Sequence, residues 1–63
     1  MDTTTIRNPA GVVLGFLDHE THRIRVRDKD GNYCGYYDKK SNRTLNANGQ
    51  VIAQGDVTVS LIV

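Results

Sequence analysis

Short segments rich in Val, Ile, Thr, Tyr and Phe alternate along this chain with clusters of Gly, Asn and Asp. No window keeps apolar residues at the i, i+3, i+4, i+7 spacing of a helix, whereas such segments between turn residues are typical of strands. Because every connection is short, we expect neighbouring strands to pair antiparallel in an all-β meander. The predicted strands are residues 3–8, 11–17, 23–28, 31–37, 43–46, 50–54 and 57–63.

The chain also repeats itself. The segment 6–18 reappears at an offset of 20 residues as 26–38, and a weaker third copy, offset by a further 18, runs from 44 to 56. Repeats of this kind indicate one supersecondary unit used several times. We predict a single domain of three tandem β-hairpins in a small barrel-like, prism-like or oligomeric sheet assembly. Its parts are a flexible tail or edge-strand start at 1–4, repeats at about 5–24, 25–42 and 43–57, and a C-terminal strand at 57–63.

Two kinds of turn separate the strands. The first is Asn/Asp-x-x-Gly, in which the first side chain bonds the backbone ahead of it and glycine takes a positive φ in a G1 bulge. The second is Asp-x-x-Thr/Ser-x-Arg, in which we expect the aspartate to accept from following amides and His22 and Asn42 to take the left-handed conformation. The first kind occurs at 8–11, 28–31 and 46–49, and the second at 18–23 and 38–43.

The repeated residues resemble the small bacterial hairpin-repeat proteins called β-flower proteins. The shared pattern is Gly-x-x-x-Gly-aromatic-x-Asp after an Asn/Asp turn, and the third copy departs from it, with Ala53 in place of glycine and Gln54 in place of the aromatic. The resemblance implies a hairpin-repeat fold in bacteria or their mobile elements and carries no agreed activity. The matching positions are Gly11, Gly15, Phe16 and Asp18, then Gly31, Gly35, Tyr36 and Asp38.

The distribution of apolar residues over the two sheet faces predicts self-association. Strand 23–27 is two-sided, with Ile24 and Val26 inward and three arginines outward. The second strand of each repeat is apolar on both faces: Leu14, Cys34 and Ile52 on one, Val13, Tyr33 and Val51 on the other. A chain of 63 residues buries only about 60% of its unfolded surface. We therefore expect a second copy to cover one face, with Gly15 and Gly35 marking strands that converge near a symmetry axis.

Composition narrows the setting. Cys34 is the only cysteine, which excludes a disulfide within one chain, and the polar first residues lack an export signal, so we expect a cytoplasmic protein. No run approaches the ~20 apolar residues of a membrane helix, so no membrane partner is expected. A net charge of +1 lacks the strong basic excess of a dedicated nucleic-acid binder.

Two groups of residues raise the question of catalysis or metal binding. Asp18, His19, Glu20 and His22 are ligand-type residues within one turn, but the matching turn carries lysines and asparagine, so the architecture does not need a metal. Cys34 occupies a position held by Leu14 and Ile52 in the other repeats, which favours a small buried hydrophobe over a nucleophile. We expect no cofactor, no metal, no catalytic residue and no enzyme activity.

Three hypotheses about function follow. The first is a non-catalytic protein-binding or self-assembling module, since tyrosines and exposed apolar residues favour interfaces. Tyr33 and Tyr37 are expected on the face opposite Tyr36, and the full interface set is Tyr33, Tyr37, Val13, Val51, Val59 and Leu61. The second is nucleic-acid or phosphate-backbone binding by an arginine-rich face, through Arg23, Arg25, Arg27, Lys39, Lys40 and Arg43. The third is a phage- or plasmid-encoded inhibitor of a host protein, comparable to an anti-CRISPR factor.

Overall fold

The computed structural model of this chain describes residues 2–62. Six strands form one antiparallel sheet in sequence order, which confirms the all-β meander. Each lies within two residues of its predicted position. The strands are β1 (Asp2–Arg7), β2 (Val13–His19), β3 (Arg23–Asp28), β4 (Tyr33–Asp38), β5 (Arg43–Asn46) and β6 (Val51–Gln54).

The sheet is open. β1 and β6 form its two edges, and within residues 2–62 they do not pair with each other. The expected barrel-like closure is therefore wrong, because the sheet ends at β6 and the chain then turns onto one of its faces. Residues 2–4, expected as a tail or an edge-strand start, belong to the edge strand β1.

The Asn/Asp-x-x-Gly turns have the predicted geometry. In the first of them the amides of Ala10 and Val12 donate to Asn8 Oδ1 at 2.9 and 3.0 Å, and Gly11 has a φ of 84°. The turns that start at Asp28 and Asn46 repeat both hydrogen bonds within 0.1 Å, with glycine φ values of 86° and 82°. The same local chemistry therefore closes all three of these hairpins.

The second kind of turn agrees only in part. Asp38 accepts from the amide of Lys40 at 3.0 Å, and Asn42 has the predicted positive φ, at 56°. His22 does not share that conformation. Asp18 bonds no following amide, because its carboxylate faces the guanidinium of Arg27 across the sheet instead.

A bulge at the same place in each hairpin changes the predicted faces. The register shifts between Ile6 and Arg7, between Val26 and Arg27, and between Thr44 and Leu45, so that Leu14, Cys34 and Ile52 are extra residues in the partner strands. An extra residue reverses the side to which the following alternation points. Tyr33 consequently lies on the same face as Tyr36, and the expectation that they lie on opposite faces is wrong.

Gly15 and Gly35 mark close approaches, as predicted, but the neighbours belong to the same chain. A Cβ on Gly15 would lie 2.5 Å from the Arg27 carbonyl oxygen and 2.8 Å from Ile62 Cδ1. A Cβ on Gly35, whose φ is 144°, would overlap the Leu45 carbonyl oxygen. Packing within one chain accounts for both glycines, so neither requires a symmetry axis.

The predicted C-terminal strand at 57–63 is wrong. Thr58–Leu61 form one turn of 3-10 helix, and Val63 lies outside the described residues. Gly55, with a φ of 89°, ends the extended conformation, and the Asp56 carboxylate then accepts from the Thr58 amide and hydroxyl. The alternating valines favour a strand, but the uncovered sheet face offers them more burial.

The core is small. Val26 is the only fully buried hydrophobic residue within residues 2–62, and the buried polar residues are Thr44 and Thr58. The Thr44 hydroxyl donates to the Gly55 carbonyl oxygen at 2.6 Å and accepts from the Val57 amide at 3.1 Å. These bonds fasten the C-terminal turn to the sheet. Among residues 2–62 no helix is long and apolar enough to span a membrane.

Candidate binding face

The two faces of the sheet differ in cover. The C-terminal turn lies over the face that carries Gly15, Leu17 and Thr44, which we call the covered face. The opposite face carries the outward residues of β3 and the rings of β2 and β4. Residues directly opposite each other in antiparallel strands point to the same side, so register fixes its membership. We call it the arginine–aromatic face: Phe16, Arg23, Arg25, Arg27, Tyr33 and Tyr36.

Each arginine of this face stacks on an aromatic ring. The guanidinium carbon of Arg27 lies 4.9 Å from the centre of the Phe16 ring, and that of Arg25 lies 5.1 Å from the Tyr33 ring. The third pair, Arg23 over Tyr36, is looser at 5.8 Å. Cation–π contacts of about 6 Å or less contribute roughly 0.5–1 kcal/mol at exposed sites. The three stacks form a ladder across β2, β3 and β4.

Two carboxylates hold the arginines at the β2 side. Asp18 accepts two hydrogen bonds from Arg27, from Nε at 2.6 Å and from Nη2 at 2.9 Å. Glu20 accepts from Arg23 Nε at 2.6 Å and lies 3.8 Å from Arg25 Nη1. A two-point contact fixes the plane of a guanidinium as well as its position. Arg27 is therefore the most firmly held arginine, and Arg25 the least neutralised.

These contacts shift ionisation equilibria. The hydrogen bonds from Arg27 hold the pKa of Asp18 below its ordinary value, although partial burial acts in the opposite direction. The same ion pair raises the pKa of Arg27, and the bond to Glu20 raises the pKa of Arg23. Asp18, Arg23 and Arg27 consequently stay charged at neutral pH, and the face presents fixed charges.

The predicted interface residues do not share one surface. Tyr33 and Val51 lie on the arginine–aromatic side and are 39% and 50% exposed. Tyr37 points to the covered side, is half-buried and donates its hydroxyl to Asn42 Oδ1 at 2.6 Å. Of the remaining residues, Val13 pairs with Arg7 and is half-buried, Val59 is exposed on the C-terminal turn, and Leu61 is half-buried there.

The predicted cationic set is also divided. Lys39 Nζ donates to the Glu20 carbonyl oxygen at 2.9 Å, so it ties two turns together. Lys40 is exposed in the β4–β5 turn, and Arg43 lies opposite Asp38 at the beginning of β5. Only the arginines of β3 form a continuous row.

The metal and nucleophile hypotheses find no geometry in their favour. No three His, Cys, Asp or Glu side chains within residues 2–62 converge as metal ligands. His19 Nε2 instead lies 2.8 Å from Thr4 Oγ1. Burial raises the pKa of the Cys34 thiol, which is the opposite of what activates a nucleophile.

Sequence reasoning missed how Phe16, Asp18 and Glu20 engage the arginines. Asp18 was assigned to a turn, yet it faces Arg25 across β2–β3 and reaches Arg27 diagonally. The signal was present, because a meander with known turn lengths fixes which residues lie opposite each other. Only the position of the bulges was missing from that calculation.

Comparison with protein families, with curated proteins and with solved structures finds no match in any of the three. The resemblance to β-flower proteins stays a prediction.

Proposed function

We propose that this chain is a non-catalytic protein-binding module that uses the arginine–aromatic face as its contact surface. The observation that carries the proposal is the ladder of three guanidinium groups, each stacked on a ring, on the uncovered face of the sheet. Arg and Tyr are among the residues that contribute most to protein–protein affinity. A phage- or plasmid-encoded inhibitor would be one form of this function, since it acts by covering a partner's surface.

Preorganisation supports this use of the face. Immobilising a long side chain on binding costs about 0.5–1.5 kcal/mol. Arg27 is already held by Asp18, and Arg23 by Glu20, before any partner arrives. Much of that ordering cost is therefore met by folding, and the face can bind with little rearrangement.

Arg25 indicates what the partner offers. Within residues 2–62 its side chain donates no hydrogen bond, its closest carboxylate oxygen is 3.8 Å away, and it is 43% exposed. A guanidinium with free donors pairs best with a carboxylate. Exposed Tyr33 and Val51 flank this side of the sheet with apolar area. The matching partner surface combines a carboxylate with apolar side chains.

Nucleic-acid binding is the second candidate, and the stacked arginines are the feature in its favour. Asp18 and Glu20 weigh against it, because they place two carboxylates on or beside the face that would meet the phosphates. The net charge of +1 adds little long-range attraction. The same arrangement favours a protein, whose surface can answer both signs of charge.

A display library of random peptides tests the proposal. Peptides selected on the wild-type protein should be acidic and should lose about tenfold or more in affinity on Arg25→Gln. Lys40→Gln is the matched control, since Lys40 is an exposed cation away from the ladder, and it should leave binding unchanged. Binders indifferent to Arg25→Gln would refute the proposal. Salt-dependent binding of a single-stranded oligonucleotide, with no face-dependent peptide, would favour the second candidate.

A further inference from the structure

The sheet ends in two open edges of different character. β1 is polar and rich in threonine, whereas β6 has no charged residue. In β6, Val51 and Ile52 are 50% and 44% exposed. Within residues 2–62 neither strand has a partner on its outer side. An uncharged apolar edge is a template for strand addition, because its outward N–H and C=O groups lack partners.

The two junctions between successive hairpins share one register. At the β2–β3 junction Gly15 lies opposite Asp28, and at the β4–β5 junction Gly35 lies opposite Asn46. These positions are related by the sequence offsets of 20 and 18 residues. The chain therefore builds the same junction twice. The other pairs correspond in the same way: Phe16–Arg27 with Tyr36–Leu45, Leu17–Val26 with Tyr37–Thr44, and Asp18–Arg25 with Asp38–Arg43.

The same offsets carry this register to the open edges. β6 corresponds to β4, so Ala53 and Gln54 stand where Gly35 and Tyr36 stand at the second junction. β1 corresponds to β3, so each open edge is the half of a junction that the chain already forms internally.

We propose that β6 of one copy of this chain pairs antiparallel with β1 of a second copy. The register places Ala53 opposite Asn8 and Gln54 opposite Arg7, which are the counterparts of the internal pairs described above. The proposal is independent of the peptide-binding function, because it uses the backbone of the edges. It also continues the arginine–aromatic face from one copy to the next, since Arg7 is the counterpart of Arg27.

Charge complementarity supports this junction. The ion pair between Asp18 and Arg27 has its counterpart in Asp56 and Arg7. Within residues 2–62 neither Asp56 nor Arg7 takes part in a salt bridge: one Asp56 oxygen accepts from Thr58, and Arg7 donates to the Gly11 carbonyl oxygen at 3.2 Å. A second copy supplies each of them with an opposite charge.

The junction is shorter than the internal ones. β6 ends at Gln54 because Gly55 turns the chain towards the covered face, whereas β2 and β4 continue beyond the equivalent position. Few backbone hydrogen bonds give modest affinity, so we expect assembly to depend on concentration. The contact is heterologous, and such contacts give closed rings or open filaments.

Disulfide formation between two single-cysteine chains tests the register. Both chains carry Cys34→Ser; one also carries Arg7→Cys and the other Gln54→Cys. Opposite residues in an antiparallel pair have Cα atoms about 4.5–5.5 Å apart, within the range that a disulfide bridges. Mild oxidation of the mixture should give a linked dimer of twice 7.0 kDa, and either chain alone should give far less.

The matched control replaces Arg7→Cys by Thr4→Cys, on the same strand but out of register and facing the other side. Light scattering of the wild type from micromolar to millimolar concentration accompanies both experiments. Oligomers that cross-link only in register support the proposal. A monomer at every concentration, or oligomers in which the control links as well as Arg7→Cys, overturn it and leave the peptide-binding proposal unaffected.

Charge reversal is the second test. Arg7→Glu and Asp56→Arg should each weaken self-association, and the double variant should restore it. Exposed ion pairs contribute about 0.2–1 kcal/mol, so each single reversal is expected to cost roughly two- to fivefold in the association constant. Loss of assembly without rescue would show that the two residues do not meet.

Discussion

The C-terminal turn depends on one hydroxyl group, and its removal gives a decisive stability experiment. Thr44 is fully buried, and its Oγ1 bonds both the Gly55 carbonyl oxygen and the Val57 amide. Thr44→Val keeps the shape of the side chain and deletes both hydrogen bonds. Since a buried polar group without a partner costs about 1–3 kcal/mol, and these two groups are only partly buried, we expect a loss of about 2–4 kcal/mol.

That loss is large for this chain. Typical stabilities of about 0.05–0.15 kcal/mol per residue correspond to about 3–9 kcal/mol for 63 residues. Thr44→Ser is the matched control, because it keeps the hydroxyl and removes one methyl group, at about 1 kcal/mol. Urea unfolding followed by far-ultraviolet circular dichroism measures both variants.

Amide hydrogen exchange locates the effect. The Val57 amide donates to Thr44 Oγ1, so its protection should survive Thr44→Ser and disappear in Thr44→Val. If Thr44→Val were as stable as Thr44→Ser and kept the Val57 amide protected, the hydroxyl would not anchor the turn and the reasoning would fail.

Two further predictions concern the sheet. Gly35→Ala should destabilise by about 3 kcal/mol or more, because the new Cβ meets the Leu45 carbonyl oxygen at an unfavourable φ; Gly31→Ala, where a Cβ has open space, should cost about 1–2 kcal/mol, and equal losses in urea unfolding would contradict this. The pKa of Asp18 is lowered in the folded state, so its ion pair stabilises fully above the ordinary value of about 3.9 and is lost as the pH falls through the lowered pKa. The difference in unfolding free energy between wild type and Asp18→Asn should therefore shrink below about pH 4, and a constant difference down to pH 2 would argue against the ion pair.

Prediction from sequence succeeded where the interactions are local. The turn that begins at Asn8 needs only a side-chain acceptor and a glycine three residues later, and the turns at Asp28 and Asn46 obey the same rule. Alternation in β3 likewise placed Val26 inward and its arginines outward. Both rules operate over a few residues, which is the range that a single sequence exposes.

Prediction failed where one extra residue or a distant contact decides. The bulge at Cys34 moved Tyr33 to the side of Tyr36, and nothing local to that strand announces it. Asp18 was placed in a turn because its partner, Arg27, lies nine residues away on another strand. The candidate face could thus be half predicted: its arginines were found, and the carboxylates and rings that hold them were not.

The sequence alone determined six strands, three identically closed hairpins and the row of arginines, because each follows from turn chemistry or from alternation within one strand. The tertiary structure decided the fate of Val57–Ile62: the alternating valines favour a strand, but the buried Thr44 hydroxyl and the bare face above Gly15 give the turn a better place. Burial of that face outweighs local β-propensity, and only the assembled sheet shows how much surface remains to be covered.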